Sequence, residues 1–191
     1  HDDHDDHDDH DDHAADGNTK LDPHAWLDPQ VAQVWVVSIA ESLSAIDPEN
    51  EALYASNALA AVANLQTLEG EVSAILDTAP AGNLIVAHDA FQYFGTRFDR
   101  AAVAAIALDD ASTPSPDRIA ELQELVAEKE VSCVLSDPQT RNEWSDLIRE
   151  GTDAGTALAD ATGSTLTSGT DQYRGTLLTL ATAYASCLSD S

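Results

Sequence analysis

The sequence contains no methionine, two cysteines, and only 8 basic residues against 35 acidic ones. Its formal net charge of -27 repels polyanions, which excludes nucleic acid and anionic membrane surfaces as partners and makes cations the natural guests. Setting aside the eight Asp of residues 1–13 leaves 27 acidic residues against 8 basic, so the acidity belongs to the rest of the chain as well. No apolar run exceeds the eight residues 101–108, far short of the roughly 18–20 that a membrane-spanning helix needs. The sequence opens on His1 with no basic stretch leading into an apolar one, so residue 1 is expected not to be the native translation start. HExxH-like pairs and nucleophile motifs are also missing, and Asp89 beside His88 is a poor basis for a zinc hydrolase. Cys133 and Cys187 have no CxxC or Cys/His neighbours, which is poor spacing for a structural zinc site. They read as one disulfide, with two inert buried thiols as the alternative. A disulfide implies an oxidising compartment.

What is present begins with His-Asp-Asp repeated four times and closed by His13. This low-complexity run has nothing apolar to bury and is expected to be disordered without metal. His1, His4, His7, His10 and His13 can chelate zinc transiently in many near-equivalent arrangements; a solvated acidic linker is the other reading. Beyond the run, Asp28-Pro29 and Asp47-Pro48 each pair a capping side chain with a proline suited to the first helical turn. Apolar residues at helical spacing predict a helix over 29–45 and a second over 48–78, on the order of 45 Å long. Short apolar runs at 84–87, 101–108, 131–135 and 156–159 then alternate with helical patterns beginning near 90, 116, 141 and 171.

That alternation predicts an α/β fold with a parallel sheet, whose ligands gather beyond the carboxyl ends of the strands. His88 ends the first run, and Asp137 and Asp160 follow two later ones. Taken alone, His88 reads more often as a satisfied core histidine. His24, in the proline-bounded segment Asp22-Pro-His24-Ala-Trp-Leu-Asp28-Pro, reads more often as a capping or surface residue.

Together, however, these segments resemble the metal-binding cluster of ABC-importer solute-binding proteins, and its ZnuA-type zinc members most closely. The resemblance runs through Asp-Pro-His-Ala-Trp-Leu-Asp-Pro, Asp47-Pro-Glu-Asn with Tyr54 and Asn57, and Ala87-His-Asp-Ala-Phe-Gln-Tyr-Phe94. It continues in Ser-Thr-Pro-Ser-Pro at 112–116, Cys133-Val-Leu-Ser-Asp-Pro-Gln139 and Tyr184-Ala-Ser-Cys187-Leu. It covers essentially everything after Leu21.

The resemblance implies two α/β lobes joined by a rigid long helix, with the metal held between them. Residues 1–20 are then a His/Asp-rich metal-binding segment, 21–46 a remnant of the N-terminal lobe, 47–81 the linking helix and 82–191 the C-terminal lobe. His24 and His88 become metal ligands and Asp160 the carboxylate ligand. The family's third histidine belongs to an N-terminal lobe that the sequence largely lacks. Asp137 matches the acidic residue of a Glu-Pro-Gln segment, whose role is structural. The implied function is non-enzymatic: a monomeric, periplasmic or membrane-tethered extracellular receptor that binds Zn2+ and delivers it to an ABC permease. Manganese or iron as cargo, and extracellular metal storage or adhesion, are the alternatives. The histidine run favours zinc, since histidine-rich loops accompany the zinc members.

Overall fold

The computed structural model describes residues 22–107, 113–140 and 142–190. The histidine run His1, His4, His7, His10 and His13 lies outside the described residues, as does part of the 101–108 segment.

Two helices open the described chain. Helix α1 (Pro29–Ile46) starts where the Asp28 side chain accepts a hydrogen bond from the Gln30 backbone N–H and Pro29 takes the first turn. Asp47 ends it, and a single 3-10 turn (Pro48–Asn50) leads into α2 (Glu51–Leu76). The turn is held by Asn50 and Tyr54, both of which donate to the Asp47 carboxylate at 2.8 Å. The long second helix is thus a 3-10 turn followed by 26 α-helical residues, about 39 Å at 1.5 Å per residue.

Strands β1 (Asn83–His88), β2 (Ala104–Ala107), β3 (Val131–Ser136) and β4 (Gly155–Leu158) follow, all parallel, in the order β2-β1-β3-β4. Helices α3 (Gln92–Arg97), α4 (Pro116–Glu128), α5 (Asn142–Ile148) and α6 (Gln172–Ser189) connect and close the sheet. Strand residues alternate between two cores, as the pleat requires. Leu84, Val86, Cys133 and Leu135 join Leu68, Val72 and Leu76 of α2 and Leu177, Leu180 and Tyr184 of α6 on one face. Ile85 and Val134 join Ile119, Leu122 and Val126 of α4 and Ile148 of α5 on the other.

Cys133 on β3 and Cys187 on α6 are joined in a disulfide, so of the two sequence readings the bond is the one realised. It closes a separation of 54 residues, a constraint worth about 4 kcal/mol in the chain-entropy picture.

Of the apolar stripe whose spacing predicts α1, Val34, Trp35, Ile39, Leu43 and Ile46 are all exposed. The reason is geometric. The buried residues of α2 begin only at Leu65, so its first half and the α1 residues beside it run past the edge of the sheet. Periodicity specified the helix, but no described element reaches that face to cover it.

Candidate metal centre

In a sheet ordered β2-β1-β3-β4, the chain leaves β1 toward one edge and β3 toward the other, so a crevice opens beyond the carboxyl ends of β1 and β3. His88 is the last residue of β1 and Asp137 the first after β3. Both are buried, and His88 Nδ1 faces Asp137 Oδ2 at 3.6 Å. Phe91 stands beside the His88 ring, with centroids 5.8 Å apart, and helps wall off solvent.

The second imidazole arrives from the other end of the sequence. Residues 22–28 form a turn in which a 3-10 segment (Ala25–Leu27) precedes the Asp28 cap. His24 projects from it toward β1, and the His24 and His88 ring centroids stand 5.6 Å apart, edge to face. Two imidazoles on one tetrahedral zinc, with Zn–N bonds of about 2.0–2.1 Å, place their centroids roughly 5 Å apart. The spacing therefore suits a shared ion.

Three long-range contacts pin this turn to the sheet domain. The Trp26 indole N–H donates to the Ala161 carbonyl at 3.0 Å, and the Tyr173 hydroxyl donates to the Trp26 carbonyl at 2.8 Å. Arg97 donates through Nε and Nη2 to the two oxygens of Asp28, each at 2.8 Å. Burial, reinforced by the Asp28 charge, pushes the Tyr173 phenol above its ordinary range, so it remains a proton donor. Sequence reasoning missed these anchors. The Asp-Pro pair signalled Asp28 only as a cap, and its second task depends on Arg97, far away in the chain.

Asp160 lies two residues beyond β4 and is buried. Its Oδ1 accepts from the Thr162 backbone N–H (3.1 Å) and hydroxyl (2.9 Å). Its Oδ2 accepts from the Ser164 hydroxyl (3.1 Å) and from the Thr165 N–H (2.8 Å) and hydroxyl (3.0 Å). Burial drives the carboxyl upward, but these bonds, led by the Thr165 N–H and the Thr162 hydroxyl, outweigh it and hold the group well below the usual carboxylate range. Asp160 thus organises a tight loop in which Gly163 takes a positive φ of 66°. A Cβ at Gly163 would also collide with the Thr176 hydroxyl.

Among the described residues, no three His, Cys, Asp or Glu side chains form a group that could hold a metal. His24 and His88 are brought together. Asp160 is not gathered with them into a three-donor cluster, because its oxygens are turned into its own loop. Asp137, read from sequence as structural, accepts the Gln139 N–H at 2.6 Å, and the Gln139 amide sits between Asp137 and the hydroxyls of Thr162 and Ser164. The loops after β3 and β4 are thereby tied together behind the two imidazoles.

The result is a parallel α/β domain with a histidine pair at its switch point, and comparison with known proteins narrows the class. The family model described as "ZnuA: Zinc-uptake complex component A periplasmic" matches residues 1–187. The high-affinity zinc uptake system protein ZnuA of Paracoccus denitrificans is 35% identical over 169 residues, 87% of this chain and 52% of that protein. The corresponding protein of Brucella suis is 35% identical over 170 residues, 89% of this chain and 51% of its own length. A crystal structure of ZnuA aligns with a TM-score of 0.73 at 27% identity, covering 89% of this chain and 62% of that one. The chain belongs to the ZnuA family. It spans about half the length of the curated relatives it matches.

Proposed function

We propose that this chain is the zinc-capturing part of a solute-binding receptor, which takes up Zn2+ outside the cytoplasm and presents it to the membrane permease of an ABC importer. The observation that carries the reading is the meeting of His24 and His88, distant in sequence, at a spacing one ion can bridge. Family membership and the names of the relatives support zinc as cargo. Imidazole donors favour zinc over manganese, which prefers an oxygen-rich shell. No reaction has to be catalysed: the site needs only to bind, exclude water and release.

Two imidazoles fill half of a tetrahedral shell. The remaining donors come from water, from residues beyond those described, or from Asp160 once it has exchanged some of its loop donors for the ion. His1, His4, His7, His10 and His13 supply further, weaker zinc-binding positions.

The test is a zinc titration followed through the ring 15N signals of His24 and His88, in the 191-residue chain with His1, His4, His7, His10 and His13 each changed to Ala. Both rings are expected to shift together at one equivalent of zinc, and His24→Ala or His88→Ala is expected to abolish the shift of the other ring. Unchanged zinc uptake in both variants would falsify the reading. Manganese at equal concentration is expected not to displace the zinc.

A further inference from the structure

We infer that Asp22 is a positioning residue for the metal centre: its carboxylate fixes His24 as the Nδ1–H tautomer and so turns Nε2 into the nitrogen that takes the ion. This inference rests on the proposed zinc reading. The local sequence explains the arrangement. Pro23 fixes its own φ and has no N–H, so Asp-Pro-His folds into a tight turn in which Asp22 Oδ1 accepts the His24 backbone N–H at 2.9 Å. The same oxygen lies 2.7 Å from the His24 ring Nδ1. An ionised carboxylate can only accept, so Nδ1 must carry the proton and the ring lone pair falls to Nε2.

The pair is well shielded, with side-chain exposures of 14% for His24 and 8% for Asp22, so water competes little for the bond. The other Asp22 oxygen, Oδ2, is buried and accepts no hydrogen bond from any described residue. A buried carboxylate with one bare oxygen is short of positive charge. A dication taken at Nε2 would polarise the ring and strengthen the Nδ1–H bond to Asp22, so the carboxylate would gain from capture of the ion as well as aiming the ring. At His88 the ring nitrogen turned to a carboxylate is again Nδ1, but across 3.6 Å, so the short contact is the one at His24.

Two measurements on the same 191-residue chain carrying the five His→Ala changes test this. Long-range 1H–15N spectra of the metal-free protein are expected to show His24 with a protonated Nδ1 and a bare Nε2. In Asp22→Ala the ring is expected to move toward the Nε2–H form that free histidine favours, and zinc affinity to fall about 10- to 100-fold. Asp22→Asn, which keeps an acceptor but not the charge, is expected to restore the tautomer and only part of the affinity; its fold and that of the Ala variant are checked by circular dichroism. A parent His24 found as the Nε2–H tautomer overturns the proposal, and so does a folded Asp22→Ala chain with unchanged tautomer and affinity. Should Asp22→Ala not fold, the parent tautomer and the Asp22→Asn affinity still decide. Failure of the His24 ring to respond to zinc in the parent chain would instead overturn the metal reading on which this role depends, a result distinguishable from the others.

Discussion

The sheet domain and the outer half of the α1–α2 hairpin are both rich in apolar residues, yet they handle them in opposite ways. In the sheet domain Leu84, Ile85, Leu122, Leu135, Leu177 and Leu180 are essentially inaccessible to solvent. In the hairpin Ile39, Ile46, Leu53 and Leu59 stand between 55% and 82% exposed. The same residue types are core in one place and surface in the other. Apolar periodicity therefore reports that a helix has a face to bury, without reporting what buries it. The histidine pair sits on the well-packed side of this divide, held by contacts among α1, α3, α6 and the loop after β4.

The contrast can be broken or sharpened by substitution, beginning with the largest effect. Replacing Cys133 and Cys187 together by Ala is expected to cost about 4 kcal/mol of stability by removing the cross-link between β3 and α6, read as a lowered urea midpoint. Next, Leu180→Ala, which empties a fully buried site beneath the sheet, is expected to cost about 3 kcal/mol by the same measurement. Asp160→Asn is expected to cost about 2 kcal/mol near neutral pH, because an amide cannot accept from all five donors that surround the carboxylate. Smallest is Leu59→Ala on the exposed hairpin, expected to change stability by less than about 0.5 kcal/mol. A loss for Leu59 comparable to that for Leu180 would show that the hairpin face is covered in solution and would dissolve the contrast.

The Asp160 substitution also carries a pH signature whose sign follows from linkage. Its carboxyl is held below its unfolded value, near 3.9, so in acid the unfolded chain binds more protons than the folded one. The stability this group contributes is fully present above about pH 4 and is lost as pH falls through its own depressed pKa. Urea midpoints of the parent and of Asp160→Asn are therefore expected to converge on acidification below about pH 4. A constant gap down to the acid limit would mean that the loop draws nothing from the charge.

Most element boundaries were legible because local signals fixed them. Asp28-Pro29, Asp47-Pro48 and the helical pattern beginning near Pro116 mark helix starts that the structure reproduces to within a few residues, and the apolar runs 84–87, 131–135 and 156–159 became β1, β3 and β4. The first stretch of the second helix tightened into a 3-10 turn because Asp47 draws both Asn50 and Tyr54 onto one carboxylate. Asp160 was legible as an important acid after a strand. That its oxygens are committed to Thr162, Ser164 and Thr165 was not, since nothing in the linear order says which way a loop carboxylate turns.

By itself, then, the sequence determined the elements, the parallel α/β class and the strongly acidic charge, because these depend on local propensity, periodicity and residue chemistry, while the two histidines stood out only through the family resemblance. Only the tertiary structure decided that His24 and His88 meet, that Asp22 lies against the first ring and Asp137 beside the second, and that Arg97 and Tyr173 hold the His24 turn in place. Those relations are set by the order of the strands and by packing between residues remote in the chain, and no local pattern encodes them.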